Sequence, residues 1–170
     1  MMTLAIMAVL LSIGVPSLSG FVKSSRLTSV TNDFLANIAV GRSESIKRGA
    51  RVTICVSSNS TTATPSCTGG GAPAWSPGYI VFADLNGDGA YNAGSDTLLR
   101  VVEPLARNVT LVSTGLTVAD SFQYRPSGNT NVPAAGASFK LCDDRTGNVG
   151  KTITISITGR TQLTTGATCP

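Results

Sequence analysis

The sequence predicts an α+β chain in which one long N-terminal helix packs on an antiparallel β-sheet head. Three observations carry this reading. The first 22 residues hold no charge, residues 23–48 repeat apolar side chains at helical spacing, and the chain beyond Gly49 breaks into short runs rich in Val, Ile and Thr. A chain of 170 residues has room for one ordinary core plus an extended element. The expected layout is a membrane-spanning half of the helix at 1–22, an amphipathic half at 23–49 and a β-rich head at 50–170.

The opening stretch MMTLAIMAVLLSIGVPSLSGFV would span ~33 Å as a helix, which matches a bilayer core of ~30 Å. Gly14 and Pro16 are tolerated in a membrane helix, and Pro16 is expected to kink it or loosen one turn. A cleaved signal peptide would want a basic segment before the apolar run, and none is present. In the second half, Leu27, Val30, Phe34, Leu35, Ile38 and Ile46 recur at steps of three and four, as on one face of a helix. Gly49 reads as the C-terminal cap, with Lys47 and Arg48 in the last turn, where cations suit the helix dipole.

Strands are predicted near 51–57, 78–83, 97–102, 108–113, 120–125, 137–142 and 151–158. The last is the clearest, since Ile153, Ile155 and Ile157 alternate with hydroxyl side chains. Residues 58–77 and 126–136 read as Ser/Thr/Gly/Pro-rich loops, and 161–170 as a tail that Cys169 pins back. Trp75, in its Pro/Gly loop, is expected to pack under the sheet edge.

Composition narrows the chemistry. The chain has no histidine, which removes Ser-His-Asp and Cys-His nucleophiles and His-containing zinc sites. Its net charge of +4 comes from scattered cations, the pattern of a solvated surface. Cys55, Cys67, Cys142 and Cys169 include no C-x-x-C spacing and read as disulfide partners in an oxidising compartment. Of the three pairings, Cys55–Cys67 and Cys142–Cys169 are favoured, because each closes a Gly/Ser/Thr-rich loop with little core of its own.

Asp84-Leu85-Asn86-Gly87-Asp88-Gly89 follows a strand and matches the first half of a calcium loop, with oxygen ligands at the first, third and fifth positions. The bidentate glutamate of such a loop is replaced by Ser95, with Asp96 one residue later. Weak Ca2+ binding through Asp84, Asn86, Asp88 and Asp96 therefore competes with a plain hairpin turn. Asp143 and Asp144 beside Arg145 read as a surface turn, since adjacent residues point apart on a strand. No catalytic residue and no other cofactor is expected.

One family fits these residues. The N-terminal helix with Gly14 and Pro16, the segment SRLTSVTNDFLANIAVGRSESIKRG, then RVTIC, the W-x-x-G-Y-I-V-F-x-D run from Trp75 to Asp84, and LLR at 98–100 resemble the GspH/FimT pseudopilins. Gly41 to Gly49, GRSESIKRG, is close to the family's ARSEAIKRG consensus. The resemblance implies a type IV pilin-like fold and single-pass insertion in the bacterial inner membrane with the head in the periplasm. It implies partnership with other pilins or pseudopilins and an inner-membrane assembly platform, and a place at or near the tip of a fibre. Members begin with a basic leader and Gly-Phe-Thr-Leu-Ile-Glu-Leu, cleaved after the glycine and N-methylated. Aligning Pro16 with the family's kink proline implies that the first few mature residues, including the assembly glutamate, lie upstream of Met1. Small residues such as Ser12, Gly14, Ser17, Ser19 and Gly20 would let such helices approach closely in a fibre. Some relatives capture DNA through basic residues on the late strands and tail; the matching positions are Lys151 and Arg160.

Overall fold

The computed structural model describes residues 2–68, 74–118 and 120–170, with side chains from Leu18 onward. Helix α1 runs from Met2 to Arg48 without a break through Gly14 and Pro16. The side chains on which the predicted membrane span and the proline kink depend lie outside the described residues. Among the described residues no helix is long and apolar enough to cross a membrane.

The helix ends at Gly49, which adopts a left-handed φ of 61° and donates its N–H to the Ile46 carbonyl. Eight strands follow: β1 (Arg51–Val56), β2 (Tyr79–Asp84), β3 (Thr97–Val102), β4 (Thr110–Thr114), β5 (Ser121–Tyr124), β6 (Ala137–Cys142), β7 (Gly147–Ile155) and β8 (Thr161–Cys169). They form two four-stranded antiparallel sheets, ordered β3-β2-β1-β5 and β4-β6-β7-β8. Where one sheet was expected there are two, and the helix lies against both.

The segment 161–170, expected as a tail, is instead strand β8, paired with β7 from Ile155↔Thr161 to Gly147↔Cys169. It escaped the pattern because a sheet-edge strand with both faces in solvent needs no alternation of apolar and polar residues. Its sequence, TQLTTGATC, has none.

The second half of α1 docks through a stripe at Leu27, Thr31, Phe34, Ile38, Gly41 and Ser45, all buried and spaced by alternating steps of four and three. Thr31 and Ser45 can be buried because their hydroxyls donate to the helix's own carbonyls at Leu27 and Arg42. At Gly41 the helix passes so near the sheet that a Cβ would lie 3.1 Å from Ile54 Cδ1. Val30 and Leu35 flank the stripe and are partly buried. Ile46, expected on the docked face, is 54% exposed. The stripe passes through Ser45 instead, which turns Ile46 away from the core.

Phe34 sits where everything meets. Its ring lies 5.0 Å from Phe139 of the second sheet, 5.4 Å from Tyr79 of the first and 6.1 Å from Trp75 in the connecting loop. Trp75 is fully buried, packed against Phe139 and Phe122, and its backbone N–H donates to Leu111 of β4. A smaller cluster of Cys55, Ile80 and Phe82, with Tyr91 and Leu98 against it, covers the far face of the first sheet. Strand β2 is consequently buried on both faces. Phe34→Ala should cost about 3–5 kcal/mol, whereas Ile46→Ala should stay within about 0.5 kcal/mol. Chemical denaturation of the two variants measures the contrast.

Candidate functional site

Residues 20–28 of the helix meet the head through polar contacts. The turn after β6 carries Asp143, Asp144 and Arg145, and each carboxylate finds a different cation. Asp143 accepts from Arg145 Nη2 at 2.6 Å and Nε at 3.0 Å, while Asp144 accepts from Lys23 Nζ at 2.9 Å. Arg145 also donates from Nη1 to Ser24 Oγ at 2.9 Å and to the Gly20 carbonyl at 3.5 Å. Nearby, Arg26 donates to Asn108 and Lys151 to Thr28. Together these contacts hold residues 20–28 of α1 over the head, below the point where apolar packing begins at Leu27.

Beyond this clamp the helix surface turns apolar and uncovered: Leu18 is 64%, Phe21 71% and Val22 48% exposed.

The clamp itself was not legible in the sequence. Its helix and head partners lie more than 80 residues apart, and no local pattern marks them.

The Arg145 guanidinium holds the Asp143 carboxyl below the usual carboxylate range, and Arg145 is raised in return. A carboxylate whose pKa is depressed on folding contributes its stabilisation fully above the unfolded value, roughly pH 4. That contribution is lost as pH falls through the lower folded value. After correction for the intrinsic slowing of exchange in acid, amide protection across residues 20–28 should therefore fall selectively as pH drops below roughly 4. In Asp143→Asn the same residues should already exchange fast at neutral pH.

The acidic turn after β2 is built around Asp84, which is buried. Its carboxylate accepts the N–H groups of Gly87 at 2.6 Å and Gly89 at 3.0 Å, the Thr53 hydroxyl and the Gln123 amide. Asp96 accepts from the N–H groups of Leu85 and Asn92. Asp88 accepts from Ala90 N–H and the side-chain amides of Asn86 and Asn92, and is held below its ordinary pKa mainly by Ala90 and Asn86.

The residues singled out for calcium are thus brought into one turn, with their carboxylates facing amide hydrogens. Among the described residues no group of three or more acidic, Cys or His side chains is placed to hold a metal ion. Asp84→Ala, which orphans two part-buried backbone donors and the buried Thr53 hydroxyl, should cost about 3 kcal/mol. Millimolar calcium should leave the melting temperature of the unsubstituted protein unchanged, as calorimetry with a chelated control can check.

Two disulfides staple the loops. Cys55–Cys67 ties the segment after β1 to the first sheet, and Cys142–Cys169 joins the end of β6 to the end of β8. Of the late-strand cations, Lys151 is engaged with Thr28 of the helix, and Arg160 is exposed in the β7–β8 turn.

A helix docked by its second half on a two-sheet head, with its first half continuing beyond it, is the architecture of pilin-like fibre subunits. Solved structures bear out that fold. The type IV minor pilin FimU of Pseudomonas aeruginosa is 20% identical, with a TM-score of 0.63 over 88% of this chain and 96% of that one. The minor pseudopilin EpsH of the Vibrio cholerae type 2 secretion system is 10% identical, with a TM-score of 0.56 over 82% of this chain and 97% of that one. Comparison with curated protein sequences finds no match. The family model of the type II transport protein GspH matches residues 30–159, and the chain belongs to that family. It is therefore a structural protein of the GspH family with the fold of minor pilins and pseudopilins, and not an enzyme.

Proposed function

We propose that the chain is a minor subunit that initiates or caps a pseudopilus or pilus fibre. In this reading the first half of α1 is held in the inner membrane, with the head in the periplasm, until an assembly platform draws the subunit into the fibre. The observation that carries it is the change of character along α1. The docked stripe ends at Leu27, the polar clamp covers residues 20–28, and Leu18, Phe21 and Val22 stand exposed at the end of a run of 22 uncharged residues. Such a surface is stable in lipid or against the apolar helices of neighbouring subunits.

DNA capture through Lys151 and Arg160 is the less favoured reading. Lys151 is tied to the helix, and phosphate binding normally draws on several cations.

Immunogold labelling of fibres from cells producing an epitope-tagged chain tests the proposal. Label confined to fibre ends is expected. Even decoration along the fibre length would sink the capping role, and fibres of normal number and length in a strain lacking the gene would sink the initiating one.

A further inference from the structure

Leu18, Val22 and Arg26 are spaced by four on α1, so they stand one above another on one face, each about 6 Å further along the axis. The turn at 106–109, closed by the Val109 N–H to Ala106 carbonyl bond, reaches that face through Asn108, which accepts from Arg26 Nη1 at 3.0 Å. Between helix and turn lies an open groove of about 400 Å³. Leu18, Ser19 and Val22 line one end of it, and Lys23, Arg26 and Asn108 the other. The apolar end faces solvent.

The charged end is unbalanced. Lys23 is matched by Asp144 and Arg145 by Asp143. Among the described residues neither Arg26 nor Arg107, exposed on the same turn as Asn108, makes an ion pair. Arg26 gives one N–H to the neutral Asn108 and has the rest of its fork free for another acceptor. An occupant must therefore be apolar along its length and anionic at one end. The helix of a second copy does not meet that need. Its first 22 residues carry no charge, and the first carboxylate of the chain is Asp33, in the half of α1 packed on the head.

We propose that this groove seats one anionic phospholipid, with an acyl chain along Leu18 and Val22 and the phosphate at Arg26 and Arg107. The seat rests on the reading of α1 as a membrane anchor and adds which lipid lies against it. Guanidinium groups suit the task, because their planar fork donates two parallel N–H bonds to phosphate oxygens. A basic pocket beside an apolar helix is the kind of site that selects acidic headgroups. In a zwitterionic lipid the headgroup's own cation offsets much of that attraction.

Electron paramagnetic resonance of the full chain in phosphatidylcholine vesicles tests this, with a trace of spin-labelled phosphatidylglycerol or spin-labelled phosphatidylcholine. The motionally restricted fraction should be roughly five-fold larger for phosphatidylglycerol. Arg26→Gln combined with Arg107→Gln should bring the two labels level. Lys47→Gln combined with Arg125→Gln removes the same charge at the Gly49 end of the helix and should leave the preference intact. Unchanged restriction of the phosphatidylcholine label across the variants shows that each is folded and inserted. Equal restriction of both labels by the unsubstituted chain would overturn the proposal in favour of an acidic helix of a different protein. So would a preference that survives the first pair of substitutions, or falls as far with the second. A chain that does not float with the vesicles removes the anchor reading and the seat with it, whereas flotation without lipid preference removes the seat alone.

Discussion

The contact on which this structure depends is the insertion of Phe34 between the two sheets. Neither sheet alone can bury an aromatic helix residue from both sides. With Tyr79 and Phe122 of the first sheet, Phe139 of the second and Trp75 of the loop gathered near it, one side chain of α1 gives all parts of the head a common core. The helix is thus part of the head's core, and a head without it would expose a cleft lined with aromatic rings. A burial of that size is worth about 2–3 kcal/mol for the phenylalanine alone, before the surrounding contacts are counted.

Around that anchor the helix is fitted by small residues rather than large ones. Thr31, Gly41 and Ser45 bring backbone close to sheet, and the hydroxyls return their hydrogen bonds to the helix itself. The opposite arrangement holds at the N-terminal end of the docked segment, where long side chains reach across a gap. Lys23, Arg26, Arg145 and Lys151 bridge helix and loops with charge-assisted bonds that are partly open to water. Close packing therefore fixes the helix from Leu27 to Ser45, while residues 20–28 are held by contacts that salt and acid weaken.

The fold class was legible in the sequence because its strongest signals are periodic. A three-four repeat over residues 27–38 and the alternating isoleucines of β7 each report a buried face directly. Where the structure uses other means, the pattern is silent. The docked stripe continues through Gly41 and Ser45, which look polar or neutral in sequence, so Ile46 was assigned to a face it does not occupy. Strand β8 buries almost nothing along its length and reads as a tail. The division into two sheets depends on which strands pair, and that information lies in long-range contacts. The polar clamp is hidden for the same reason. The acidic turn shows the reverse case: its local motif is plain in the sequence, while its oxygens accept from the turn's own amides and from Thr53 and Gln123 of neighbouring strands.

The Cys142–Cys169 bond has a consequence for how the protein withstands damage. It joins the end of β6 to the end of β8, so the chain from 142 to 169 is a covalently closed ring. Closing a ring of this length restricts the unfolded chain by about 3.5 kcal/mol. It also means that a protease cutting at the exposed Ile157 and Thr158 of the corner severs the backbone without releasing a fragment. Both halves stay attached through sulfur and remain paired strand to strand, and a subunit nicked there would keep its outermost strand in place.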